Sequence, residues 1–129
     1  MQWIVKTSLF LAAVIHLLPV TGVAGAERLA ALYGVAIGDP SLLILMRHRA
    51  LLFGMLGAFM LAALWLAHLR NSAFALGLFS VVSFLALALL GAPYNASIGR
   101  IVMADLLALA LLLAGWAAHG RAIKRCGPF

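Results

Sequence analysis

Between Ser41 and Leu69 the chain reads SLLILMRHRALLFGMLGAFMLAALWLAHL, and this stretch decides the fold. Asp39-Pro40 stops any helix arriving from upstream, because the residue before a proline is pushed out of the α region, and Ser41 is suited to cap the helix that follows. A helix running on to His68 would be about 42 Å long at about 1.5 Å per residue, longer than a hydrocarbon core of about 30 Å. The surplus lies at its N-terminal end, where Arg47, His48 and Arg49 interrupt an otherwise apolar sequence. A charge at mid-bilayer costs about 2.5–3.5 kcal/mol on insertion scales, so such residues snorkel, pair or line a polar cavity. What faces this cluster is the functional question.

The composition agrees with a membrane protein. The 129 residues are 67% hydrophobic and 9% charged, whereas ordinary globular chains are about 25% charged. The length fits a single transmembrane domain, 1–129. A net charge of +6 would suggest nucleic acid as the partner of a soluble protein. Here the basic residues flank apolar runs, which is the pattern of membrane orientation, so the partner is the lipid bilayer and not nucleic acid. One cysteine, Cys126, excludes an internal disulfide and a Cys-x-x-Cys redox pair.

Working outward, the apolar runs predict spans at about 3–23, 42–69, 73–90 and 97–119, an all-α four-helix bundle. Lys6 and the run Ser8–Val20 have the form of a secretory signal, with Ala24-Gly25-Ala26 as a cleavage site. His16 and Pro19 interrupt that run and favour an uncleaved first helix. Ser8, Ala12 and His16 make a small and polar stripe that suits the bundle interior. Between the first two spans, Leu29, Leu32 and Tyr33 share one face of a short interfacial helix, and Gly34 and Gly38 mark turns. In the second span Ala50, Gly54, Ala58 and Ala62 recur every four residues, the spacing that lets helices approach closely in lipid. That stripe carries Arg47 inward, turns Arg49 to the opposite side to snorkel, and leaves His48 between. His68-Leu69-Arg70-Asn71-Ser72 reads as a polar connection, with Ser72 able to cap the third span.

The fourth span contains Arg100 and Asp105, which lie about 140° apart around the helix and cannot pair with each other. Asp105 shares a face with Ala104, Ala108, Leu112 and Gly115, a small-residue surface that should pack inward. Four spans put both termini on one side, and Lys6, Arg70, Arg121, Lys124 and Arg125 make that side cytoplasmic. His16, Arg47, His48, Tyr94, Asn95, Arg100 and Asp105 then share one level in the outer half of the bilayer. An Arg47–Asp105 ion pair with a histidine beside it would be the centre of a ligand site. The same pair would equally serve to fix helix register.

The segment Leu45-Met46-Arg47-His48-Arg49-Ala50-Leu51-Leu52-Phe53-Gly54, with a Leu-Tyr-Gly connector before it and two spans after it, resembles the DoxX-like superfamily of small four-helix bacterial membrane proteins. The resemblance implies a multi-pass protein of the bacterial inner membrane. Some members are associated with quinone-linked sulfur oxidation or with oxidative-stress complexes. Look-alikes labelled phosphopantetheine adenylyltransferase do not extend that activity to this chain, which has neither a His-x-Gly-His nucleotide motif nor a soluble α/β pattern. The paired cysteines of vitamin K reductase-like proteins and the first-span Glu of small multidrug exporters are absent. The expectation is a redox-accessory protein holding an anionic or quinone-like amphiphile, a quinone or a lipid. The alternative is a structural or assembly subunit, within a homo-oligomer or a larger membrane complex, whose buried charges fix helix packing.

Overall fold

The computed structural model describes residues 1–91 and 93–125; Cys126 lies outside the described residues. Its elements are α1 (Gln2–Leu17), a 3₁₀ segment (Leu18–Ala24), α2 (Ala26–Tyr33), α3 (Pro40–Trp65), a 3₁₀ turn (Ala67–Leu69), α4 (Arg70–Leu90) and α5 (Ala96–Arg125). The fold is all-α, as the sequence predicts. Among the described residues four helical spans, Gln2–Ala24, Pro40–Trp65, Ala67–Leu90 and Ala96–Arg125, are long and apolar enough to cross a membrane.

The helix ends differ from the sequence expectations for local reasons. Pro19 lacks an N–H and its ring would clash with the Ile15 carbonyl, so α1 tightens into the 3₁₀ segment instead of running on to Val23. Asp39, not Ser41, caps α3: its Oδ1 accepts the Leu42 N–H at 2.8 Å. Pro40 then occupies the first turn, where its missing N–H has no consequence. At the other end α3 stops at Trp65, and Leu66 leaves the helical region with φ −94° and ψ 88°. Arg70, expected in a polar connection, is instead 5% exposed. Its Nε and Nη2 donate to the Ala63 and Leu64 carbonyls at 3.2 Å each, and its Nη1 donates to Gln2 Oε1 at 2.7 Å. The guanidinium therefore closes the C-terminus of α3 and ties α1 to it. Ser72 provides no cap, since α4 already begins at Arg70.

α1 packs between α3 and α5, and α4 completes the ring by touching both α3 and α5. Gln2 meets Arg70 at the start of α4, and Ser8 faces Gly115 late in α5, so the first and last described turns lie at the same end of the bundle. The interior is built from Val5, Leu9 and Ala12 of α1, Met60 and Ala63 of α3, Phe74 and Val81 of α4, and Ala108 and Leu112 of α5. Lipid tails are as apolar as these side chains, so close packing is what holds such helices together. Gly115 illustrates this: a Cβ there would lie 2.7 Å from Ser8 Cβ and 2.8 Å from Phe74 Cε1.

The short α2 lies across the opposite end, against the 3₁₀ segment and the start of α5. Leu29 and Tyr33 point inward, and Glu27 and Arg28 point out. Gly34 terminates α2 with φ 67°, and its N–H donates to the Ala30 carbonyl at 2.8 Å. A side chain there would be strained in φ and would press on Ser97 Oγ, 2.9 Å from the Cβ position.

Candidate functional site

Beneath α2 the helices border a half-open cavity of about 330 Å³. Its apolar wall includes Ile15, Leu18, Leu32, Phe53, Phe84 and Ile101. Its polar groups are His16, Tyr33, Arg49, Ser97, Arg100 and Asp105. Of the residues singled out in the sequence, His16, Arg100 and Asp105 meet here. Arg47, His48, Tyr94 and Asn95 do not.

Arg49 takes the place expected of Arg47, and helix geometry gives the reason. Along α3 the inward positions are Ala50, Phe53, Gly57, Met60 and Leu64, stepping alternately by three and four. This is the seam of a bundle helix. Steps of four alone drift about 40° each time, so Ala58 and Ala62 walk off the face. Arg47 lies about 110° from the centre of the buried face and Arg49 only about 50° from it. Accordingly Arg47 is exposed, and its Nε donates to the Val23 carbonyl at 2.9 Å, closing the end of the 3₁₀ segment. It forms no pair with Asp105. His48 is exposed beside it.

The Arg49 guanidinium sits over three aromatic rings from three helices, with Cζ 5.2 Å from the Tyr33 centroid, 5.1 Å from Phe53 and 6.0 Å from Phe84. Such faces attract a cation by about 0.5–1 kcal/mol each when wet and about 2 kcal/mol when dry. Among the described residues Arg49 makes no hydrogen bond, and no buried side-chain nitrogen or oxygen is left without a partner. Its N–H donors therefore remain accessible, and the residue lines the cavity. Asp105, half-buried on α5, likewise makes no hydrogen bond or ion pair among the described residues, and it lines the same space. Arg100 donates through Nη2 to Ser97 Oγ at 3.0 Å, with its other donors unspent.

His16 is 2% exposed. Its Nδ1 bonds the Ala12 carbonyl at 2.8 Å, and its ring lies 5.9 Å from that of Phe53. With Nδ1–H donating to the carbonyl, the neutral ring presents Nε2 to the cavity as an acceptor. Asn95 has a different role. Its Oδ1 accepts the Ile98 N–H at 2.9 Å as the cap of α5, while its Nδ2 donates to the Tyr33 and Gly34 carbonyls at 3.0 and 3.2 Å. It latches α2 onto α5 and has little left for a ligand. Tyr94, 47% exposed, lies outside the cavity wall.

The site thus combines two guanidiniums, one carboxylate and one imidazole in a mostly apolar chamber. With both guanidiniums and the carboxylate ionised it carries a net charge of +1. Arg49, Tyr33, Phe53, Phe84 and Ser97 were absent from the sequence-predicted site. The seam through Ala50, Phe53 and Gly57 was the signal for the first and third of these. No family model, curated protein or solved structure matches the chain.

Proposed function

We propose that this multi-pass membrane protein binds an anionic or quinone-like amphiphile in the cavity beneath α2, in the manner of a redox-accessory protein. The supporting observation is Arg49, braced by three aromatic rings with its donors unspent inside a chamber of about 330 Å³. A guanidinium held by ring faces, with no hydrogen bond to the protein among the described residues, is preorganised to bind a ligand's acceptor. The chamber lies at the lower end of the range of about 300–1,000 Å³ usual for ligand sites. It suits a head group and the first part of a chain.

The same reading places the protein in the bacterial inner membrane with both termini cytoplasmic. Lys6, Arg121, Lys124 and Arg125 lie at the bundle end opposite α2. The exposed Trp3, Trp65 and Trp116 ring that end as an aromatic belt would. The cavity then falls in the outer half of the bilayer. The DoxX-like affiliation belongs to this proposal and rests on the segment 45–54. A structural or assembly subunit is the second reading, supported by Arg47, Arg70 and Asn95, each of which donates to a backbone carbonyl of this chain. Native mass spectrometry of the protein released in mild detergent separates the two. A reproducible small-molecule adduct is expected; a bare protein bound to a stoichiometric protein partner would support the second reading.

A further inference from the structure

The cavity offers ligand contacts of two kinds. Arg49 and Arg100 supply N–H donors and positive charge, whereas Asp105 and His16 Nε2 supply acceptors. A ligand with an anionic group alone satisfies the guanidiniums but leaves a carboxylate facing another negative charge. An oxidised quinone has only carbonyl acceptors, so on burial it would leave Asp105 and His16 without donors. Unpaired buried groups cost more than missing ones, and this is how polar sites discriminate between near-isosteres. Neither simple ligand matches the set.

We infer that the preferred ligand joins one anionic group to a nearby hydrogen-bond donor on a single apolar chain, the chemistry of a monoacyl glycerophosphate. This rests on the amphiphile reading above and narrows it. The phosphate lies between Arg49 and Arg100, where bidentate guanidinium bonds form. The glycerol hydroxyl turns toward Asp105 and His16. The acyl chain follows Ile15, Leu18 and Phe53 and continues into the bilayer, since the chamber is too small to enclose it.

The test is displacement of a fluorescent anionic fatty-acid analogue from the full-length protein in non-ionic detergent. The competitors are lauroyl glycerophosphate, lauryl phosphate, a short-chain oxidised quinone and soluble glycerol phosphate. The first two share a twelve-carbon chain and a phosphate monoester; the first adds a glycerol ester linkage that carries the donor hydroxyl, and the Asp105 variants report the hydroxyl's share of the difference. Lauroyl glycerophosphate should compete about tenfold or more better than lauryl phosphate, the effect of one hydrogen bond to a charged acceptor. Glycerol phosphate should not compete. Asp105→Leu should erase most of the tenfold difference, and Asp105→Asn, which retains a weaker acceptor, should reduce it if the leucine variant does not fold. Equal competition by the two phosphates, or an undiminished difference in both Asp105 variants, would overturn this inference while leaving an anion-binding protein. Stronger competition by the quinone would overturn it in favour of a quinone site. Competition by glycerol phosphate as strong as by its lauroyl form would overturn the amphiphile class. If the probe does not bind at all, both this inference and the reading beneath it fail.

Discussion

Arg49 and Arg47 stand two positions apart on one helix, yet one lines the cavity and the other is exposed outside it. Arg49→Gln removes the guanidinium that sits 5.1–6.0 Å from three ring centroids and opens onto the cavity. Truncating one partner of a desolvated charge contact costs about 2–5 kcal/mol of binding, which is about 30-fold in affinity at the low end. The aromatic contacts are lost as well, so thermal stability in detergent should fall by about 1–3 kcal/mol. Arg47→Gln removes one exposed bond to the Val23 carbonyl and should cost about 1 kcal/mol of stability or less. It should leave affinity unchanged. The assay is titration of each purified variant with a fluorescent anionic fatty-acid analogue, together with a melting curve. If Arg47→Gln weakens binding as much as Arg49→Gln, or if Arg49→Gln leaves it intact, the assignment of the inward face of α3 is wrong.

Arg47→Gln and Asp105→Asn should show strictly additive stability changes in a double-mutant cycle, because no pair joins them; a coupling above about 0.5 kcal/mol would contradict that geometry. Arg70→Met should lower stability by about 2–4 kcal/mol by stranding the Ala63 and Leu64 carbonyls. Ligand affinity should be unaltered, since Arg70 lies at the far end of the bundle. Gly115→Ala should cost about 1–3 kcal/mol through overpacking against Ser8 and Phe74, read from the same melting curves. Asn95→Ala loses both the cap of α5 and the latch on α2. It should lower hydrogen-exchange protection in α2 far more than in α3, and uniform protection across both would refute the latch.

The architecture was legible because it rests on coarse quantities. Span length, hydropathy and the breakers Pro19, Pro40 and Gly91 are fixed by composition and chain geometry. Facing was legible where a stripe is short. Ser8, Ala12 and His16 drift about 80° in total and stay within one buried face. The stripe from Ala50 to Ala62 drifts about 120° and leaves it, so extrapolating from that stripe to an arginine chose Arg47 in place of Arg49. Large residues would have corrected this, since Phe53, Met60 and Leu64 belong to the seam although they are not small. Arg70 was illegible for another reason. Its role depends on where α3 breaks, and the break at Leu66 is stabilised by Arg70 itself. Asn95 carries an ordinary cap signature, but its second bond, to the end of α2, is made across the fold and leaves no local trace.

On the proposal above, the cavity of the bundle, and not its lipid-facing surface, holds an amphiphile. Photolabelling with a diazirine-bearing laurate analogue, followed by mapping of the adducts, tests it most directly. Adducts are expected on Ile15, Phe53 and Ile101, removed by excess unlabelled laurate and abolished by Arg49→Gln. Adducts confined to the outward Phe79, Leu89 and Leu90, which are 74%, 80% and 86% exposed, and insensitive to both competitor and variant, would contradict it.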